Sequence, residues 1–87
     1  MARDEPRFKP SVAKDLRGIP AADARRILAR IETLRNDPRP PGAEKLSAQE
    51  RYRLRQDDYR ILYNVLDGEV IAEIVKVGHR REVYRDV

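Results

Sequence analysis

The sequence predicts an α+β domain in which an N-terminal helical hairpin packs on a small, mainly antiparallel β-sheet. Apolar residues recur at the helical period as far as Leu34 and at a period of two from Arg51 onward. Between the two regimes lies a proline-rich segment, Asn36-Asp37-Pro38-Arg39-Pro40-Pro41-Gly42, which no helix or central strand accommodates. The chain has 87 residues, 40% of them apolar and 39% charged. That supply builds one core, so residues 1–87 read as a single domain with little apolar surface to spare, and a partner would relieve that shortage.

Arg7-Phe8-Lys9 reads as the end of a short opening strand, closed by Pro10, which removes a ladder donor and suits a helix start. Ser11 is the expected cap. Val12 and Leu16 share one face of the first helix, Gly18 stops it, and Ile19 folds back onto the core. Pro20 fits the first turn of a second helix, where its missing N–H is no loss. Ala24, Ile27, Leu28, Ile31 and Leu34 follow on its inner face, with Arg25, Arg26, Arg30 and Glu32 opposite. Beyond the proline-rich loop, Arg51–Gln56, Tyr59–Leu66 and Glu69–Val77 read as strands joined by two-residue turns, Asp57-Asp58 and Asp67-Gly68.

Such turns set the register, and the register sorts side chains into faces. Leu54 then stands opposite Ile61, Tyr52 opposite Tyr63 and Arg55 opposite Arg60. In the second hairpin Ile61 meets Ile74, Tyr63 meets Ala72 and Val65 meets Val70. The helices should cover the apolar face of Tyr52, Leu54, Ile61, Tyr63, Val65, Val70, Ala72 and Ile74.

The other face carries Arg51, Arg53, Arg55 and Arg60. Arginine on a solvated sheet face can simply keep an edge soluble. Four together, with Arg55 opposed to Arg60, favour an anion site instead: like charges across strands destabilise, and guanidinium forks match phosphate oxygens. The formal net charge of +4 points the same way. Next comes Val77-Gly78-His79-Arg80-Arg81-Glu82-Val83-Tyr84-Arg85, expected to leave the last strand beside the arginines. His79 is the one histidine, and imidazole is the side chain best suited to proton transfer near neutral pH. Arg80 and Arg81 add charge. Tyr84 offers either a flat ring for an unstacked base or an aromatic packed under the terminus.

Other chemistries find no residues. The absence of cysteine removes disulfides, zinc thiolates and thiol nucleophiles, and with a single histidine no metal cluster of plausible spacing forms. No glycine-rich phosphate loop occurs, and neither Ser11 nor Ser47 has a nucleophile-turn context. No cofactor is expected. Met1-Ala2-Arg3-Asp4-Glu5-Pro6 lacks the apolar run of a secretory signal, and no segment reaches membrane-spanning length, so a cytoplasmic protein is expected.

Tyr52-Arg53-Leu54-Arg55 after Leu46, Asp58-Tyr59-Arg60-Ile61-Leu62-Tyr63, and Val77-Gly78-His79-Arg80-Arg81-Glu82-Val83-Tyr84 together resemble the RelE/ParE toxin superfamily. So do Phe8, Pro10, Ala13-Lys14-Asp15-Leu16, Ile19-Pro20 and Leu34 before Pro38. The resemblance implies two N-terminal helices on a small sheet into which the first strand pairs, and a cognate antitoxin as partner. It also implies one of two activities. RelE-like members cleave messenger RNA on the ribosome, whereas ParE-like members inhibit DNA gyrase without nuclease chemistry.

By resemblance the nuclease positions fall on Arg53, Arg55, Arg60, Arg80 and Tyr84, all suitably occupied, which favours the endoribonuclease. A neutralised relative surviving as an RNA-binding module is the remaining alternative. The implied reaction is metal-free attack of a ribose 2′-hydroxyl on the adjacent phosphate. Arg55, Arg60, Arg80, His79 and Tyr84 would act at the reacting phosphate, and Arg51, Arg53 and Arg81 would hold the RNA. The chain departs from the pattern in two ways. Familiar members carry lysine where Arg53 and Arg55 stand, and arginine is essentially never deprotonated, which leaves the general base open with His79 as a candidate. Asp57 also occupies a turn position that is often glycine.

Overall fold

The computed structural model describes residues 6–46, 51–66 and 71–79. Two helices lie on a five-stranded mixed sheet. Strand β1 (Arg7–Phe8) leads into helix α1 (Pro10–Arg17), then α2 (Ala21–Glu32), a short 3-10 turn (Thr33–Arg35), and strands β2 (Glu44–Lys45), β3 (Arg51–Gln56), β4 (Tyr59–Leu66) and β5 (Ile71–His79). The strand order is β1-β5-β4-β3-β2, with β1 parallel to β5 and the other pairs antiparallel. Among the described residues no helix is long and apolar enough to cross a membrane.

The helix starts show where local chemistry decides. Pro10 occupies the first turn of α1, where a missing N–H is harmless. The cap position therefore falls on Lys9, which makes no side-chain capping bond, and Ser11 lies inside the helix rather than capping it. Gly18 closes α1 through a bond from its N–H to the Asp15 carbonyl at 3.2 Å. Pro20 precedes α2 as its cap residue. Ile27 and Ile31, one turn apart, point at the sheet and are buried, whereas Leu28 is 41% exposed and is not part of the inner face. Its direction lies well round the helix from the Ile27–Ile31 stripe.

Val12, Ile27, Ile31 and Leu34 pack on Tyr52, Leu54, Ile61, Tyr63, Val65, Ala72, Ile74 and Val77. Each fully buried aliphatic side chain contributes about 1.5–3 kcal/mol. Tyr52 and Tyr63 stack at 5.7 Å between ring centroids. Their hydroxyls pin the proline-rich loop: Tyr63 donates to the Pro38 carbonyl at 2.8 Å, and Arg39 Nε donates to the Tyr52 hydroxyl at 2.8 Å.

The β3–β4 hairpin has the expected register, with Leu54 opposite Ile61, Tyr52 opposite Tyr63 and Arg55 opposite Arg60. Asp57 meets the demand of the tight turn by adopting φ 56°, which aspartate tolerates better than most residues. The β4–β5 pairing differs from expectation. Leu66 pairs with Ile71, and the expected Asp67-Gly68 turn, with Glu69 and Val70, lies outside the described residues. Tyr63 pairs with Ile74 and Val65 with Ala72, a slip of two residues, which leaves every side chain on its expected face. Between Leu62 and Tyr63 the register shifts again, and Val75 is the unpaired extra residue of a bulge. Ile61 consequently meets Val77, not Ile74, and both Ile74 and Val77 face the core.

Candidate nucleic-acid interface

Alternation along β3 and the β3–β4 register bring Arg51, Arg53, Arg55 and Arg60 to the face turned away from the helices. The face is graded rather than uniform. At one end Arg51 Nε donates to Asn64 Oδ1 at 3.0 Å, and Asn64 Nδ2 donates to Glu73 Oε1 at 3.4 Å, so that arginine is tied into a polar chain ending in a carboxylate. In the middle, Arg53 holds Glu44 Oε1 through Nη2 at 2.7 Å and Nε at 3.2 Å. At the hairpin end Arg55 is exposed opposite Arg60.

Arg60 is a buried charged residue, 7% exposed, and its Nη1 donates to the Tyr59 carbonyl at 3.3 Å. Gly78 stands opposite Arg60 in β5 and contributes no side chain to that face. Leu62 and Ile71 are also buried on this side. Arg53 is the cross-strand partner of Leu62, so its aliphatic stem stands beside that leucine while the charged head reaches outward.

Glu44 is the residue that sequence reasoning missed. It sits in the two-residue strand β2, directly opposite Arg53. Its hydrogen bond and charge attraction to Arg53 hold the carboxyl below the usual carboxylate range, with further help from Arg55 and Arg60. No motif marks it. Only the edge pairing brings it among the arginines.

His79 does not join them. Residues Val77–His79 remain in β5 instead of leaving the sheet. His79 pairs with Tyr59, two positions along from the buried Ile61–Val77 pair, and therefore projects on the helix face. Its ring meets Tyr59 edge-on at 6.0 Å, and the two line a cavity of about 530 Å³ with Ser11, Lys14, Asp15 and Ile19 from the α1 side. The bulge in β5 contributes to this outcome, because one extra residue reverses which side chains face which layer. Arg80, Arg81 and Tyr84 lie outside the described residues. The structure thus brings together Arg51, Arg53, Arg55 and Arg60, adds Glu44, and separates His79.

The model of a family described as the ParE toxin of type II toxin–antitoxin systems matches residues 7–84. Among solved structures, an archaeal RelE–RelB complex from Pyrococcus horikoshii is similar at 27% identity and TM-score 0.76, covering 92% of this chain and 97% of that one. A RelB–RelE antitoxin–toxin complex from Methanococcus jannaschii is similar at 25% identity and TM-score 0.75, covering 92% and 96%. The isolated RelE toxin of Escherichia coli shares the fold at TM-score 0.76 and 21% identity, covering 94% and 92%. Comparison with curated proteins finds no match.

Proposed function

Because the chain belongs to the ParE toxin family of type II toxin–antitoxin systems, we propose that it arrests growth as a metal-independent endoribonuclease acting on messenger RNA at the ribosome. The observation that carries this reading is the opposed Arg55–Arg60 pair, beside Arg53 and above the side-chain-free Gly78. Like charges set across strands repel one another, and a phosphate between the two guanidiniums would offset that repulsion.

In this reading the 2′-hydroxyl oxygen of one nucleotide attacks the adjacent phosphorus. The phosphorus–5′-oxygen bond breaks, leaving a 2′,3′-cyclic phosphate and a 5′-hydroxyl. Arg55 and Arg60, joined by Arg80, stabilise the extra charge on the pentacoordinate phosphate, usually the largest catalytic contribution. Arg51, Arg53 and Arg81 hold the backbone, and Tyr84 stacks on or orients a base.

Proton removal falls to Glu44 rather than His79, whose ring is on the helix face. An ionised carboxylate with a lowered pKa is a weak base, so most of the rate enhancement rests on the arginines. The proton delivered to the 5′-oxygen comes from solvent. DNA lacks the nucleophile and is not cut.

The partner in this reading is a cognate antitoxin, since the similar Pyrococcus and Methanococcus structures are toxin–antitoxin complexes. An acidic or amphipathic segment of that antitoxin would suit the basic face. The second reading is inhibition of DNA gyrase without nuclease chemistry, and the matched ParE family model favours it. In vitro translation with mapping of cleaved messages, run beside a gyrase supercoiling assay, separates the two. We expect cut messages with 5′-hydroxyl ends and unaffected supercoiling. Intact messages with blocked supercoiling would select the second reading.

A further inference from the structure

Strand β2 pairs only with Tyr52 and Arg53, so it stops short of the last three residues of β3, Leu54–Gln56. The Arg51 carbonyl points toward β2, where it accepts the Leu46 N–H at 2.9 Å. Alternate residues of an antiparallel strand turn their N–H and C=O to the same side. Those of Arg55 therefore point that way too, past the end of β2, where the ladder supplies no partner. The result is a notch in the sheet edge, a cavity of about 260 Å³ lined by Arg30, Gly42, Glu44, Leu54 and Arg55.

Arg30 reaches this notch from α2, on the opposite side of the sheet from Arg55. Gly42, at φ 95°, turns the loop past it in a conformation that favours glycine, and a Cβ there would be in ordinary contact with Arg30 Nη2 at 3.9 Å. Among the described residues neither the Arg30 nor the Arg55 guanidinium makes a hydrogen bond or ion pair. Two guanidiniums from separate elements, neither of them hydrogen-bonded and Arg55 attracted to Glu44 only at longer range, thus flank one opening that also receives a strand-edge N–H. Among the described residues the one acid on its rim, Glu44, is already committed to Arg53.

We propose that this notch is a second anion site, for one phosphate group of a nucleic-acid backbone, held by the Arg30 fork on one side and by Arg55 with its backbone N–H on the other. Arg55 belongs to both the notch and the Arg55–Arg60 pair, so a strand that sets one phosphate over that pair carries a neighbouring phosphate past the notch. The identity of the polymer as RNA rests on the ribonuclease reading; the phosphate site itself does not.

The test follows the arginine Nε–Hε signals of the isotope-labelled full-length chain during titration with inorganic phosphate. Arg30 and Arg55 should shift together and saturate with one Kd on the order of millimolar. Arg30→Gln should weaken the Arg55 response about tenfold, and Glu44→Gln should tighten it. Shifts that do not saturate, or an Arg55 response unchanged in Arg30→Gln, overturn the site. A second arm measures the affinity of a single-stranded RNA oligonucleotide against salt, where Arg30→Gln should reduce the slope by about 0.7. If the parent binds phosphate as described but cuts no RNA, the ribonuclease reading fails and the notch stands. A parent that binds RNA with a slope identical to that of Arg30→Gln removes the notch as an RNA subsite. Loss of antitoxin affinity in Arg30→Gln with phosphate and RNA binding intact would make it a protein contact and overturn the proposal.

Discussion

Leu54 and Arg55 are neighbours in β3, and they answer to opposite demands. Leu54 is 1% exposed, pressed between the helices and Ile61, while Arg55 stands exposed against another arginine. On the helix side every cross-strand pair of β3 and β4 that enters the core is apolar or aromatic, and the tyrosine hydroxyls are used to hold a loop. On the far side the pairs are Arg51 with Asn64, Arg53 with Leu62, and Arg55 with Arg60. One side has the pattern of a stability device and the other accepts repulsion. Where a small protein tolerates like charges set across strands, the reason is to be sought in what it binds.

The largest effect should come from damaging the helix side. Leu54→Ala removes a fully buried side chain and is expected to cost about 2–5 kcal/mol, enough to bring a small domain near unfolding. Denaturant unfolding checks this, and a cost below about 1 kcal/mol would mean that the sheet and helices are less tightly packed than described. On the far side, Arg60→Ala should lower single-turnover RNA cleavage by about 10²- to 10³-fold, the usual result of removing one charge-stabilising donor. Cleavage at the parental rate would move the reacting phosphate away from the Arg55–Arg60 pair.

The two sides should also respond differently to pH. Burial above all, with Tyr52 and Asp37 adding to it, pushes the Tyr63 phenol up to about 12. Since the folded value lies above the unfolded one, the tyrosine's contribution is complete below about pH 10 and is lost as pH rises toward 12. Melting temperatures from pH 9 to 12 should therefore fall less steeply in Tyr63→Phe than in the parent. On the arginine side, Glu44 is held below the ordinary carboxylate range. Cleavage is expected to stay level through neutral pH and to decline only in acid, as the base becomes protonated. A rate that instead rises between about pH 6 and 7 would return the proton transfer to an imidazole.

The parts of this architecture set by local alternation were readable in the sequence. Tyr59-Arg60-Ile61 and Tyr63 declare their faces by alternation, with Leu62 the apolar exception on the arginine side, and the short turn at Asp57-Asp58 carries the register into β3. The second hairpin was harder. A slip of two residues preserves both faces, so Val65 can meet Ala72 as readily as Val70, and hydrophobic pattern alone cannot choose. The bulge at Val75 is invisible for a similar reason, because Ile74-Val75 offers an apolar residue to either layer, yet it decides the direction of His79. Glu44 was hidden by the shortness of β2: two residues are too few to show a period, and their pairing with Arg53 is a product of the tertiary fold.

The contrast between the two sides is tested most directly by Arg55→Ala, with thermal stability and RNA cleavage measured on the same preparation. Loss of the repulsion against Arg60 is expected to leave stability unchanged or raise it by a few tenths to about 1 kcal/mol, while cleavage falls by at least about tenfold. A variant that melts earlier and cuts RNA at the parental rate would show that Arg55 serves the fold, and that the arginine side of the sheet is a structural surface.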